Sequence, residues 1–367
     1  MDIRGGAING VSITGQSYLY AFSTFTFTTG GTVGPTGANA QWLFANSYSS
    51  SNASNVWLTN TTWYGVSNRA GYQYWVVPET AQYTIEVAGA RTGIPTYSNT
   101  SAAARYGRGA VMRGTFTLQQ GTNVTIAVGQ PSANTTQPST YSTPGGGGGT
   151  FVVLPGNFPL IIAGGGGAAG NWTSNAIVLF GGNGQTTTFG GNSFNGAPGG
   201  FNGWGGNSHV HRITGAASIN GYDGGGGGGF ILPGVAGTGG NLRPGTVAGA
   251  TSTGQGGWHF LANLVGGIYS SSYGPPSTSY GGFGGGGGSG PITGGGGGGY
   301  SGGAGAFATA GTAIDSAGGG GSWIAANATA VATSDGLYDG SATFGGSSIT
   351  NLATVNAGPG YVKITKI

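Results

Sequence analysis

The chain has 367 residues, of which 87 are glycine and only 5% are charged, and its ten Lys/Arg against seven Asp/Glu leave a net charge of +3. The two lysines, Lys363 and Lys366, and the scattered arginines make no concentrated basic face, which excludes a nucleic-acid binder. Cysteine is absent, which excludes disulfide staples, thiolate metal sites and a cysteine nucleophile; no apolar run approaches the roughly 18 residues of a membrane-spanning helix.

The length allows one large or two modest domains with a sizeable core. The opening Met1-Asp-Ile-Arg-Gly-Gly6 has neither a basic n-region nor an apolar h-region, so no secretory signal is expected. The composition, poor in charge and rich in Thr, Ser, Asn and Gly, is that of extracellular adhesive or fibrous proteins. A chain made inside a cell and displayed outside it fits a virus particle, so the expected location is a virion surface.

Residues 1 to about 165 read as short strands separated by turn signals. Tyr18–Phe27 is rich in Tyr, Phe and Thr with polar alternation, and Trp57–Leu58 and Tyr72–Val77 carry aromatic and β-branched residues. Tyr83, Ile85 and Val87 alternate with Thr84 and Glu86, the period of a half-buried strand, and Val124, Ile126 and Val128 repeat the pattern. Thr115–Leu118, Phe151–Leu154 and Leu160–Ala163 complete the set. No long 3.6-residue period with a capping signal occurs, so no helix is predicted. Many short strands at roughly ten-residue spacing imply a sandwich or jelly roll.

Between Pro144 and Ala325 lie 64 of the 87 glycines, with six uninterrupted runs: Gly145–Gly149, Gly164–Gly167, Gly224–Gly229, Gly284–Gly288, Gly294–Gly299 and Gly318–Gly321. Such runs normally make a flexible linker, because glycine loses the most conformational freedom on folding. The alternative is the extended left-handed helix of three residues per turn, polyglycine II, which bonds nothing internally and must pack side by side with its like. The runs contain no serine, they are edged by Phe151, Phe230, Phe283, Tyr300 and Trp323, and the stretch holds only Asp223, Asp315, Arg212 and Arg243 as charges. Disordered tracts are charge-rich, so the packed lattice is the reading adopted. At about 3.1 Å per residue a six-glycine run spans roughly 19 Å, a short slab. The runs are irregularly spaced, so they are not a tandem repeat. Tyr361–Ile367 closes the chain as a strand that needs the N-terminal sheet to pair with. The expected division is 1–70 as an N-terminal β/assembly segment, 71–163 with 356–367 as a β-sandwich, and 164–355 as an inserted glycine-rich domain.

An ordered series of motifs carries a resemblance. Trp75-Val-Val-Pro78, Tyr83-Thr-Ile-Glu-Val-Ala-Gly-Ala90, Gly107-Arg-Gly-Ala110, Gly114-Thr-Phe-Thr-Leu118 and Val128-Gly-Gln130 come first. Gly147-Gly-Gly-Thr-Phe-Val152, Pro159 to Gly167, Gly295 to Gly303 and Gly358-Pro-Gly-Tyr-Val-Lys-Ile364 follow. Over residues 70 to 367 the chain resembles the glycine-rich module of the anaplastic lymphoma kinase and leukocyte tyrosine kinase receptors. The resemblance implies an all-β fold, a sandwich like that of tumour necrosis factor (a TNF-like jelly roll) carrying an inserted bundle of polyglycine II helices. The chain lacks the receptors' cysteines, membrane span and kinase domain, so the fold carries over and signalling does not. In its glycine runs and interrupting loops it is also similar to the adhesins at the long tail-fibre tips of T-even phages, whose loops meet the host receptor.

Chemistry-bearing residues are few. His209 and His211, two apart on an extended segment, can place two imidazoles on one face, but no third metal ligand is assigned and a polar loop explains them equally well. No GxxxxGK[ST] phosphate loop exists and GxGxxG matches carry nothing in this composition. Asp335 and Asp339 fit a calcium site or a turn. Asp223 and Asp315, isolated at the edges of glycine segments, read as caps for backbone N–H groups. Seven carboxylates leave little for general acid–base work, so no enzyme, metal or other cofactor is expected.

The segments between runs hold aromatic residues among Ser, Gly and Asn, a composition suited to recognising surfaces or sugars. The candidates are Phe201, Trp204, His209, His211, Trp258, His259, Tyr273 and Tyr280; the competing reading is that each ring merely covers a slab with no side chains of its own. The lattice itself is represented by Gly145, Gly164, Gly224, Gly284, Gly294 and Gly318. The expected function is a non-enzymatic virion structural protein, a fibre, adhesin or surface decoration that presents loops for host attachment. Its expected partners are itself as a homotrimer, other virion proteins, and a host-surface glycan or protein, without nucleic acid or membrane insertion. The alternatives are a subunit of a cellular extracellular filament and a soluble ligand-binding module related to receptor ectodomains.

Overall fold

The structure, a computed structural model, describes residues 18–48, 53–94, 106–135, 143–170, 181–208, 223–237, 252–271, 279–307, 315–334 and 356–367. Two antiparallel sheets face each other. One holds five strands in the order β1 (Thr24–Phe27), β13 (Tyr361–Lys366), β4 (Ala81–Ala88), β5 (Val111–Leu118), β12 (Thr329–Ser334). The other holds six: β11 (Trp323–Ile324), β8 (Phe158–Ala163), β7 (Thr150–Leu154), β6 (Asn123–Ala127), β3 (Tyr72–Val76), β2 (Tyr64–Val66). A separate pair joins β9 (Ser252–Gly254) to β10 (Tyr269–Ser271). The fold is therefore all-β, as the alternating patterns imply.

Alternation decides the faces. Phe25, Phe27, Tyr83, Ile85, Val87, Met112, Phe116, Val362 and Ile364 of the five-stranded sheet meet Trp75, Val124, Ile126, Val152 and Leu160 of the six-stranded one in a single buried cluster. The opposite face of the five-stranded sheet is polar. Thr24, Thr365, Thr84, Thr115 and Thr329 lie in one register row across all five strands.

The six-stranded sheet is buried on its second face as well. Tyr72, Ala127, Phe151, Val153 and Ile162 there pack against Phe230, Phe260, Leu264 and Phe283 of the glycine-rich region, with Tyr300 and Trp323 at the border. All five rings that edge the glycine runs in sequence thus belong to one cluster. They turn inward onto the sheet.

The last strand pairs with the N-terminal half as expected, β13 lying between β1 and β4. The sandwich also draws strands from both flanking stretches. β1 and β2 come from residues 1–70 and complete one edge of each sheet, while β11 and β12 come from within 164–355. One helix, α1 (Ala40–Asn46), occurs where none was predicted. Its seven residues are too few to display a period, and it is started by Asn39, whose Oδ1 accepts the Trp42 N–H at 2.9 Å. Trp57 and Leu58 lie in a 3₁₀ segment (Ala53–Thr59) rather than a strand.

The glycine runs continue the strands. Gly149 leads directly into β7, Ala163 of β8 directly into Gly164, and Gly318–Gly321 through Ser322 into β11. Within them the backbone donors change neighbour residue by residue and return every third. Gly224 and Gly227 donate to Ala306 and Gly303, Gly225 and Gly228 to Gly288 and Gly285, Gly226 and Gly229 to Val235 and Leu232, all at 2.7–2.9 Å. Gly146 and Gly149 donate to Gly287 and Gly284, while Gly147 and Gly148 between them reach Gly166 and Gln130. A strand would alternate between two sides with a period of two. No glycine of the runs at 145, 164, 224, 294 or 318 has a positive φ. Glycine is required there for space: a Cβ on Gly227 would stand 1.9 Å from the Gly297 oxygen, and one on Gly146 2.0 Å from the Gly296 oxygen.

Candidate recognition surface

The slab's described surface carries no ionised side chain. Asp223 and Asp315 are the carboxylates of described residues between 164 and 325, and both are fully buried. Asp315 caps backbone donors: its Oδ1 accepts the Asn195 N–H at 2.8 Å and its Oδ2 the Phe307 N–H at 2.9 Å. Burial outweighs these bonds and pushes its pKa up to about 6.

What the surface does expose is rings and aliphatic side chains. Phe201 is 44% exposed and Trp204 46%, with ring centroids 4.8 Å apart. A tight turn sets them side by side: Asn202 and Gly203 have φ of 49° and 82°, and the Trp204 N–H donates to the Phe201 carbonyl. The next segment is held to this turn by the Ile231 N–H on the Gly203 carbonyl. It exposes Ile231 and Leu232 while their neighbour Phe230 stacks on Phe260 beneath. On the far side, the Gly234 N–H donates to the Gly257 carbonyl, which brings up exposed Trp258 and Leu261. In the other direction the Gly190 N–H donates to the Gly200 carbonyl and places exposed Phe189 beside the same rim. Four adjacent segments therefore line one uncharged apolar rim, at the end of the slab that meets the sandwich.

Of the residues singled out from sequence, Phe201, Trp204 and Trp258 belong to this rim. His259 adjoins it half-buried, and burial lowers its pKa. Tyr280 stands apart, half-buried beside Gly145 at the opposite end of that run from Phe151. His209, His211 and Tyr273 lie outside the described residues, as do Asp335 and Asp339. The six lattice glycines at 145, 164, 224, 284, 294 and 318 are buried. Phe189, Ile231, Leu232 and Leu261 were not anticipated. The signal was present in Phe230-Ile-Leu232, but sequence does not say which of three consecutive apolar residues faces the sheet.

No family model matches the chain, and no curated protein matches it.

No group of three or more His, Cys, Asp or Glu able to hold a metal occurs among the described residues, and no described helix is long and apolar enough to cross a membrane. The geometry of the described residues offers an apolar contact surface.

Proposed function

We propose that this chain is a non-enzymatic structural protein of a virus particle, a fibre, tip or surface decoration, that presents the rim around Phe201, Trp204 and Trp258 to a host surface. The observation that carries the reading is the combination of a slab whose described surface has no ionised side chain and whose described glycine runs are cross-bonded through their backbone, with Phe201, Trp204 and Trp258 exposed along one rim. A monomer seldom leaves contiguous apolar surface uncovered unless it is used, and rigid aromatic side chains recognise at low entropic cost.

In this reading the slab is a bundle of polyglycine II helices, supported by the three-residue return of its donors and by the lack of positive φ in the runs at 145, 164, 224, 294 and 318. The sandwich is a TNF-like jelly roll. Supporting that is the way β3–β4 and β5–β6 fold across both sheets, β4 pairing with β5 in one and β3 with β6 in the other. Self-association as a trimer, beside other virion proteins, follows by analogy with that fold.

Two measurements test this. Mass spectrometry of purified virus particles should find the chain at many copies per particle; finding it only in cell-free filaments overturns the virion assignment. Trp204→Ala with Trp258→Ala should abolish attachment to host cells and leave the melting temperature within about 2 °C, because exposed substitutions change stability by roughly 0.5 kcal/mol or less. Unchanged attachment, or collapse of the fold, means the rings only cover the slab.

A further inference from the structure

The chemistry of the rim narrows the kind of surface it can meet. Its aliphatic members, Ile231, Leu232 and Leu261, are exposed beside its rings, and Ile231 packs on the Phe201–Trp204 turn: a Cβ on Gly203 would stand 3.0 Å from its Cδ1. A protein or sugar partner needs hydrogen-bonding groups beside the apolar contact, about one bond per 100–200 Å² in a protein interface. Here many are spent internally. Ser301 Oγ accepts the Gly203 N–H at 3.1 Å, and Asn192 Oδ1 accepts the Gly199 N–H at 3.0 Å. The Trp204 carbonyl accepts the Gly302 N–H, the Trp258 N–H donates to the Val265 carbonyl, and the Leu232 carbonyl accepts the Gly229 N–H, each at 2.8–2.9 Å. Of the turn residues at the rim, Asn202 and Asn263 keep exposed amides.

A lipid interface selects that combination. Hydrocarbon offers backbone groups no partner, so a loop entering it must arrive with its N–H and C=O groups already bonded. Indole and phenyl rings concentrate at the headgroup boundary, while aliphatic tips reach the acyl chains below. Charge is kept away. Asp223 and Asp315 are buried at the opposite end of the slab. Ser208, Asp223, Gly237 and Phe307, which flank the stretches 209–222, 238–251 and 308–314, are gathered at that end too. There Ser208 Oγ donates to the Ala236 carbonyl, and the N–H groups of Gly237, Gly254 and Gly305 donate to the carbonyls of Gly254, Asp223 and Asn207. The run Gly224–Gly229, roughly 19 Å long, separates this end from Phe230 and the rim. On the sandwich side Arg69 lies over Tyr72, whose ring packs on Phe260, so one guanidinium stands near the margin. A single cation raises affinity for anionic lipid by no more than about fivefold.

We propose that the rim docks in the headgroup–acyl boundary of a lipid bilayer, held by apolar burial and without need of anionic lipid. It departs from the sequence expectation of no membrane insertion only to the depth of side chains, and no element spans the bilayer. The inference rests on the reading of the rim as the surface that meets a host, and it names that surface as lipid.

Flotation of the full chain with phosphatidylcholine vesicles tests it. Binding is expected, and it should change less than about fivefold when phosphatidylserine is included or when salt is raised from about 0.1 to 0.5 M. Leu232→Asp and Phe201→Asp should each lower partitioning at least about tenfold, because each removes one large side chain from the buried set. Either variant suffices if the other does not fold. Phe194→Asp is the control: Phe194 is 72% exposed, more than any ring of the rim, but its N–H donates to the Ser316 carbonyl at the opposite end. Absence of binding to phosphatidylcholine, binding only with phosphatidylserine, or equal loss in Phe194→Asp overturns the proposal. The two readings fail separately. If vesicles are not bound and Trp204→Ala with Trp258→Ala still abolishes attachment to host cells, the rim meets a protein or glycan and only the lipid proposal falls. If vesicles are bound and that double variant attaches normally, the host-attachment role falls and the lipid contact stands without it.

Discussion

Gly227 and Gly358 pose the same substitution in two different spaces. At Gly227 an added methyl would meet a backbone oxygen at 1.9 Å, whereas at Gly358 the nearest atom beyond its chain neighbours is the Asn356 Oδ1 at 3.5 Å, ordinary contact. A lattice bonded to neighbours on three sides cannot yield by rotating a side chain. Gly227→Ala should therefore destabilise by more than about 3 kcal/mol, at the upper end of overpacking costs, and Gly358→Ala by less than about 1 kcal/mol. Denaturant melts of both variants decide; a mild effect at Gly227 would mean that the glycine segments are not in contact. Asp315 makes a residue-scale prediction of another kind. Its pKa is raised from 3.8 to about 6 in the fold, so the folded chain holds a proton that the unfolded chain has released across that window. Its contribution is fully present below pH 3.8 and is lost as pH rises through about 6. The melting temperature of wild type, measured against Asp315→Asn, should fall from pH 4 to pH 6, by an amount corresponding to roughly 2–3 kcal/mol at about 1.4 kcal/mol per pKa unit. A difference that stays constant would remove Asp315 from the pH response.

At the scale of elements, the unit is a glycine run whose successive N–H groups bond three neighbouring segments in turn. Gly224 to Gly229 donate six bonds at 2.7–2.9 Å, none of them within the run. Amide exchange should therefore protect these six glycines about as strongly as β4 and β5 in the sandwich, since both open only with the fold. Exchange at unfolded-chain rates would restore the flexible linker. Much of this element was legible from the chain itself: uninterrupted runs, missing charges and the flanking rings pointed to packing. The strands with clean alternation, Tyr83–Val87 and Val124–Val128, lie in β4, β6 and the residue after it. Less legible were α1, too short to show a period, and β11, two residues whose pairing depends on a partner 161 positions earlier, Trp323 on Ile162. The rim was half legible. Phe201, Trp204 and Trp258 stood out by type, but Phe189, Ile231, Leu232 and Leu261 become neighbours only through bonds between segments that are remote in sequence.

For the molecule as a whole, the question is whether slab and sandwich unfold as one. The chain passes between them repeatedly, and β7, β8 and β11 each run on into glycine without a linker. The junction is also bonded and packed. The Tyr72 hydroxyl donates to the Phe260 carbonyl at 2.6 Å, the Gly166 N–H donates to the Ala90 carbonyl, and Phe283 and Phe230 bury their rings against Phe151 and Ile162 of the six-stranded sheet. Phe283 is 1% exposed, and its ring also fills the space beside Gly71, where a Cβ would stand 2.4 Å from it. Removing that ring leaves a cavity at the junction, where the slab, which has few side chains of its own, gains hydrophobic burial against the sheet. Phe283→Ala should cost about 3–5 kcal/mol, the range for a buried aromatic, and because both parts share this core the loss should lower a single unfolding transition. Calorimetry separates the possibilities. One transition shifted down by several degrees, with calorimetric and van't Hoff enthalpies still equal, is the expected outcome. Two separated transitions in the variant, with the upper one at the wild-type temperature, would mean that the sandwich stands without the slab and that the glycine lattice is an independent body resting on it.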